Sequence, residues 1–423
     1  MQITKASIIT IGDELLIGQV IDTNSAWMAQ ELNKAGITVS RRVAVGDEWN
    51  AIWQALDDEM EKADIILLTG GLGPTADDIT KPLLCEYFGG KMVLSQQVLN
   101  HVTYLFEKVF NRPMIERNRK QAEVPDVCTV LHNANGTAPG MWFEKNGKIL
   151  VSLPGVPFEM KGLMTAEVIP ALLKKFTVPL ILHRTLLTAG IGESFLAERI
   201  QEFENRLPAS IKLAYLPNYG MVRLRLSATG FEKEELSSVI DGKFRELQDL
   251  LADVLVTNLD QPMEQVVATL LQSGNKTLST AESCTGGYIA HLLTTMPGSS
   301  KYFLGSIVSY DNQVKQDMLG VNPETLQTEG AVSEATVKQM VSGALQQLKT
   351  DYAVAVSGIM GPDGGTTEKP VGTVWVAVGN NREIVTQRFQ FRFERRRNIE
   401  LTAVNSLNLL RKFIIDNTVS TIS

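Results

Sequence analysis

The chain has 423 residues, 44% hydrophobic and 21% charged, which is too long for one ordinary domain and excludes a disordered chain. A net charge of -7 argues against broad nucleic-acid binding, and no run approaches the ~20 apolar residues of a membrane span. Cys85, Cys128 and Cys284 form no CxxC pair, which argues against a disulfide framework and fits a reducing cytoplasm.

In chain order, the opening MQITKASIITIGDE has no apolar core with a cleavage site, so a signal peptide is not expected. Periodicity then predicts strands at 7–12, 37–46 and 64–71, separated by helices at 24–36, 50–60 and 79–90. This βαβαβα order predicts a doubly wound α/β sheet over residues 1–172. A boundary falls at 172–180, and a small α+β domain follows over 180–258. A third domain, again α/β, is expected over 260–416. It starts with helix 262–273, strand 276–281, helix 285–295 and strand 302–310. Helices 313–319 and 333–349, strand 352–357, a hairpin at 372–393 and a helix at 398–415 complete it.

Ligands of open α/β sheets bind beyond the carboxyl ends of the strands. Three acidic spots follow three predicted strands: Asp13 with Glu14, Asp47 with Glu48, and Asp77 with Asp78. Beside them runs TGGLGPTADD (69–78), where Gly70, Gly71 and Gly73 let the backbone approach a ligand and Thr75 adds a hydroxyl. Carboxylates next to a phosphate cradle imply a divalent cation such as Mg²⁺, and Glu159 could also reach it. The competing reading makes Asp47, Asn50 and Asp78 helix caps and the glycines a plain turn. The loop is neither a Walker A nor a GxGxxG sequence.

GDELLIGQVIDTNS, TGGLGPTADDITKP and LPGVPFEM resemble the molybdopterin-binding fold of the CinA (competence/damage-inducible protein A) family. The resemblance implies a metal-dependent ADP-ribose pyrophosphatase over about residues 1–170. Asp13, Gly70, Gly71, Gly73, Thr75, Asp77, Asp78 and Glu159 match the family pattern. The middle segment resembles that family's KH-type domain, but GIGE at 190–193 does not supply a GXXG clamp, so a nucleic-acid partner is not expected.

AESCTGG (281–287) closes an apolar strand. Ser283 there would lie at or just before a helix N-terminus, where a developing anion is stabilised. Only four histidines occur, and His291 is two helical turns on, so a lysine with a pKa lowered by burial is the better base. In GSIVSYDNQVK, Tyr310 ends a strand and Lys315 follows, although a solvated lysine is the commoner reading. VSGIMGPDGGTTEKPVGTVW places four glycines and two prolines after a strand, a second cradle lined by Ser357, Gly361 and Thr366. FERRRN adds Arg395, Arg396 and Arg397 for a phosphate. Cys284 is a rival nucleophile.

These three motifs resemble the C-terminal domain of the CinA family, the nicotinamide-nucleotide amidases. The resemblance implies Ser283 as nucleophile, Lys315 and Tyr310 as its catalytic partners and Arg397 at the phosphate. Cys284, Thr285, Gly286, Ser357, Gly361 and Thr366 would line the substrate, with no cofactor for this reaction. The expected ligands are pyridine nucleotides and ADP-ribose, and the resemblance implies a homodimer. The alternative is a non-catalytic nucleotide- or molybdopterin-binding regulator linked to competence or DNA damage.

Overall fold

A computed structural model describes residues 4–75, 78–218 and 220–419. They fold as two compact units. The first holds the residues up to Leu182 together with Ala228–Ser238, and the second holds His183–Ser227 and the chain from Val239 onward.

The first unit is built on a six-stranded sheet. Its strands run in the order Thr38–Val45, Lys5–Ile11, Ile65–Thr69, Lys148–Leu153, Gly140–Lys145 and Thr129–Leu131. The first four are parallel and the last two antiparallel, so the predicted parallel core gains an antiparallel edge. Ile65–Thr69 is buried at every position, as a central parallel strand covered on both faces must be. The helix Trp49–Lys62 buries Ile52, Ala55, Leu56 and Glu59, one stripe at helical spacing. Glu59 is tolerated there because Arg41 pairs with it at 3.0 Å and Ser7 Oγ donates to it at 2.6 Å.

The second unit contains a five-stranded sheet ordered Phe303–Val308, Leu278–Glu282, Tyr352–Gly358, Thr373–Gly379 and Ile384–Gln390. Its first three strands are parallel and the last two form the antiparallel hairpin. The long helix Arg395–Val419 covers one face with Leu407, Leu410, Phe413 and Ile414. The helix Glu334–Leu348 covers the other with Val337, Met340, Val341 and Ala344. A smaller four-stranded sheet, Ile211–Asn218, Met221–Gly230, Leu180–Ala189 and Leu255–Thr257, accounts for the α+β segment. Among the described residues no helix is long and apolar enough to cross a membrane.

Parallel pairing decides where chemistry can sit. Glu282 is in register with Val308 on one side and Val356 on the other. The next positions along the three strands, Ser283, Ser309 and Ser357, therefore lie level with one another at one edge. The helix Asn312–Leu319 descends from that edge and ends against Gly343, where an added Cβ would lie 2.0 Å from the Leu319 carbonyl oxygen. Alanine gains about 1 kcal/mol over glycine in a helix, but overpacking costs about 1–3 kcal/mol and a backbone oxygen cannot rotate away. Gly343→Ala is expected to lower stability by about 1–2 kcal/mol, read from the urea midpoint; an unchanged or higher midpoint would refute this packing.

Candidate active site

The turn after Leu278–Glu282 is organised by Glu282, whose side chain is fully buried. One oxygen accepts from Thr285 Oγ1 at 2.7 Å, Gly287 N–H at 3.1 Å and Ile289 N–H at 3.0 Å. The other accepts from Ala290 N–H at 2.8 Å and Thr280 Oγ1 at 3.2 Å. Five donors saturate a carboxylate that has about four lone-pair sites. Residues 283–290 are thereby wrapped around one side chain, and the following helix starts at Tyr288 rather than at 285 as the periodicity predicts. Gly287 caps it in the left-handed region, with φ at 96°.

Ser283 is buried and opens onto a cavity of about 300 Å³. Cys284, Tyr310, Lys315, Ser357 and Gly361 share that cavity. Lys315 is buried, and its amine donates to the carbonyl oxygens of Ser309 at 2.8 Å and Tyr310 at 3.1 Å. Burial holds this amine below the usual lysine range, against smaller opposing effects of Asp311 and Cys284. A neutral amine has two N–H bonds and one lone pair. With both N–H bonds given to the carbonyls, the lone pair can take a proton. Ser357 Oγ donates to the Ala331 carbonyl at 2.7 Å. Tyr310 is largely exposed, and its hydroxyl accepts from Arg395 Nη2 at 3.0 Å.

Burial pushes the Cys284 thiol up to about 12, with Glu282 adding to the effect. Almost no thiolate exists at neutral pH, which favours the hydroxyl of Ser283 over its neighbour.

Four expected positions lie elsewhere. Arg397 does not line this cavity: its guanidinium sits over the Phe393 ring at 4.2 Å. Arg395 takes the place instead, with Nη1 donating to the Gly361 carbonyl at 2.9 Å. The long helix begins at Arg395, and successive helical residues point about 100° apart, so the three adjacent arginines differ in direction, and of the three Arg395 lines the Ser283 cavity. Thr366 is exposed and closes its own loop, accepting from the Lys369 N–H at 3.0 Å. Thr285 and Gly286 border a neighbouring cavity. The sequence reading missed Glu282, Asn312 and Asp363, and it named Arg395 only as one of three arginines; Asn312, Asp363 and Arg395 line the Ser283 cavity. A Glu closing a buried strand, with Thr at +3 and Gly at +5, was the available signal for Glu282.

In the first unit, Asp13 and Asp47 meet at the carboxyl ends of adjacent strands. Each carboxylate accepts from the other residue's backbone N–H, at 3.1 and 3.2 Å. Asp78 does not join them: it accepts from Gly73 N–H at 2.7 Å, Thr75 N–H at 2.8 Å and the Thr75 hydroxyl. It therefore closes the loop without capping the next helix, which starts at Thr80. Gly70 and Gly71 have positive φ, and a Cβ would lie 2.5 Å from Ile11 O and 2.2 Å from Thr80 Oγ1, respectively. Glu159 accepts from Asn133 Nδ2 at 2.6 Å, and burial raises its carboxyl above the usual range despite that bond. Asp77 lies outside the described residues. Among the described residues, no group of three or more His, Cys, Asp and Glu side chains is placed to hold a metal.

The folds and sites define an α/β protein with a sheet-edge acidic pair in one unit and a serine–lysine cavity in the other. Residues 7–174 match the model of a probable molybdopterin binding domain, 183–256 the damage-inducible protein CinA KH domain, and 260–414 the CinA C-terminal domain. The chain is 45% identical to a CinA-like protein of Flavobacterium psychrophilum, over 98% of this chain and 99% of the relative. It is 46% identical to a CinA-like protein of Cytophaga hutchinsonii, over 96% of this chain and 97% of that one. The chain belongs to the CinA family. A solved structure of a competence/damage inducible protein from Agrobacterium tumefaciens is 38% identical, covering 36% of this chain and 96% of its own with a TM-score of 0.35.

If burial controls Cys284, the folded protein at pH 8 should leave this thiol unalkylated by iodoacetamide and label it on unfolding. Fast labelling of Cys284 in the folded state would contradict the closed environment.

Proposed function

We propose that the second unit is an amidohydrolase that converts nicotinamide mononucleotide to nicotinate mononucleotide and ammonia. The observation that carries this reading is the shared cavity of Ser283 and the buried amine of Lys315. The family resemblance supplies the substrate, and Arg395 offers the planar fork that suits its phosphate.

Lys315, neutral, takes the proton of Ser283 Oγ as that oxygen bonds to the carboxamide carbon. The Lys315 ammonium then gives the proton to the departing nitrogen, the C–N bond breaks, and ammonia leaves an acyl ester on Ser283. Water adds to the ester while Lys315 accepts one of its protons. The ester bond breaks, the serine oxygen regains a proton and the carboxylate product departs. Tyr310, hydrogen-bonded to Arg395, orients the phosphate-binding guanidinium.

Ser283→Ala is expected to reduce ammonia release by on the order of 10³-fold or more while the protein stays folded; near-normal turnover would reject Ser283 as nucleophile. Lys315→Met keeps the buried volume and removes the base, with a loss of about 10²–10⁴-fold. Because the base must be neutral, kcat should rise with pH on the acidic limb, with its midpoint below the usual lysine range. A midpoint near an ordinary lysine would contradict the burial argument.

For the first unit, the pairing of Asp13 with Asp47 favours metal-dependent cleavage of the ADP-ribose pyrophosphate. Mg²⁺ needs only one or two carboxylates when substrate phosphates complete its shell, so this pair fits such an ion. The ion, when bound, would neutralise phosphate charge. Asp78 is engaged with its own loop, and Glu159 with Asn133. Chelation by EDTA should stop release of AMP from ADP-ribose and leave ammonia release unchanged; cleavage that persists in EDTA would remove the metal role.

A further inference from the structure

A second cavity, of about 620 Å³, is lined by Thr285, Gly286 and Gly287 of the segment that follows Ser283, within the same unit. We propose that it binds a purine nucleoside 5′-phosphate. Three features of its wall match the base face, the phosphate and the exocyclic amine of such a ligand.

The first is a shelf for a planar base. Tyr288 and His291 are one turn apart on the same short helix, with ring centroids 5.9 Å apart and planes tilted by only 30°. Ile399 joins them on the cavity wall. A planar base can stack on two such rings, since every base has a π-face. The second is cationic. Arg395 and Arg396 both line the cavity. Arg396 bonds Glu400 through Nε at 3.2 Å, so its two terminal nitrogens take no part in that pair. Those nitrogens present a fork suited to a phosphate. The third is an acceptor. Glu400 also lines the cavity and can receive an exocyclic amine of the base. Two guanidiniums against one carboxylate leave the wall net positive, as a phosphate ester requires. The volume falls within the range of small-ligand sites.

The shared wall gives the site a consequence. Arg395 belongs to both cavities and, on the Ser283 side, bonds Tyr310 Oη and the Gly361 carbonyl. One guanidinium cannot hold two phosphates with its full fork. A nucleotide in the second cavity therefore weakens the hold on the amidase substrate, and the substrate weakens the nucleotide by the same factor. This coupling rests on the amidase reading above; the binding site itself does not.

The test is equilibrium binding of adenosine 5′-monophosphate to the full chain, by calorimetry, with no amidase substrate present. Arg396→Ala and His291→Ala are suitable variants because both side chains are exposed and neither is placed in the amidase machinery. Saturable binding is expected, weakened at least tenfold in each variant, with adenosine and inorganic phosphate both binding less tightly than the nucleotide. Binding that is absent, that ignores both substitutions, or that inorganic phosphate matches would overturn the assignment. NAD serves as a second probe. If NAD binds tighter with the same dependence on Arg396 and His291, the occupant is the adenylate half of a dinucleotide; if it binds more weakly, the occupant is the free mononucleotide. In turnover, adenosine 5′-monophosphate should raise KM for nicotinamide mononucleotide to a plateau with kcat unchanged. Inhibition that grows without limit would place the nucleotide in the amidase cavity and overturn the separate site. Absence of amidase turnover with normal nucleotide binding would instead refute the amidase reading alone.

Discussion

The second unit depends on one buried carboxylate. Glu282 receives five hydrogen bonds from the segment that follows it and from its own strand. Burying a carboxylate is costly unless every oxygen is satisfied, so the turn has little freedom to adopt another shape. The same bonds consume three backbone N–H groups around the start of a helix, where such donors lack intrahelical partners. Fixing the turn fixes Ser283. Other positions on that edge then follow from the register of two parallel neighbours, which deliver Ser309 and Ser357 level with it.

The lysine shows the complementary principle. Lys315 is buried on a short helix at the sheet edge, and two main-chain carbonyls receive its amine. Carbonyl dipoles favour a charged amine, and desolvation disfavours it; here desolvation is the larger effect. The result is an amine whose orientation is set by two backbone carbonyls, with no carboxylate of the described residues hydrogen-bonded to it. This differs from a histidine triad, in which a third side chain must orient the base.

Alternation of strand and helix made the architecture readable from the chain. Apolar runs such as Ile65–Thr69 and the stripe Ile52, Ala55, Leu56 reflect periods that packing enforces locally. The motifs around Ser283, Tyr310, Lys315 and Ser357 were readable for the same reason: each lies at a strand end or just beyond it. What could not be read was rotation about a helix axis. Arg395, Arg396 and Arg397 are equivalent in a sequence, and only the starting point of the helix gives each a direction. Nor does a sequence show which carboxylates meet. Asp13 and Asp47 are 34 residues apart yet adjacent, whereas Asp78 turns back onto amides five and three residues before it.

That inward turn of Asp78 makes the glycine loop a seat already taken. A phosphate approaching Gly73 and Thr75 competes with a tethered anion whose local concentration no free ligand matches. In this arrangement the amides of Gly73 and Thr75 are already committed to an anion of the chain's own, so an incoming anion meets an occupied seat.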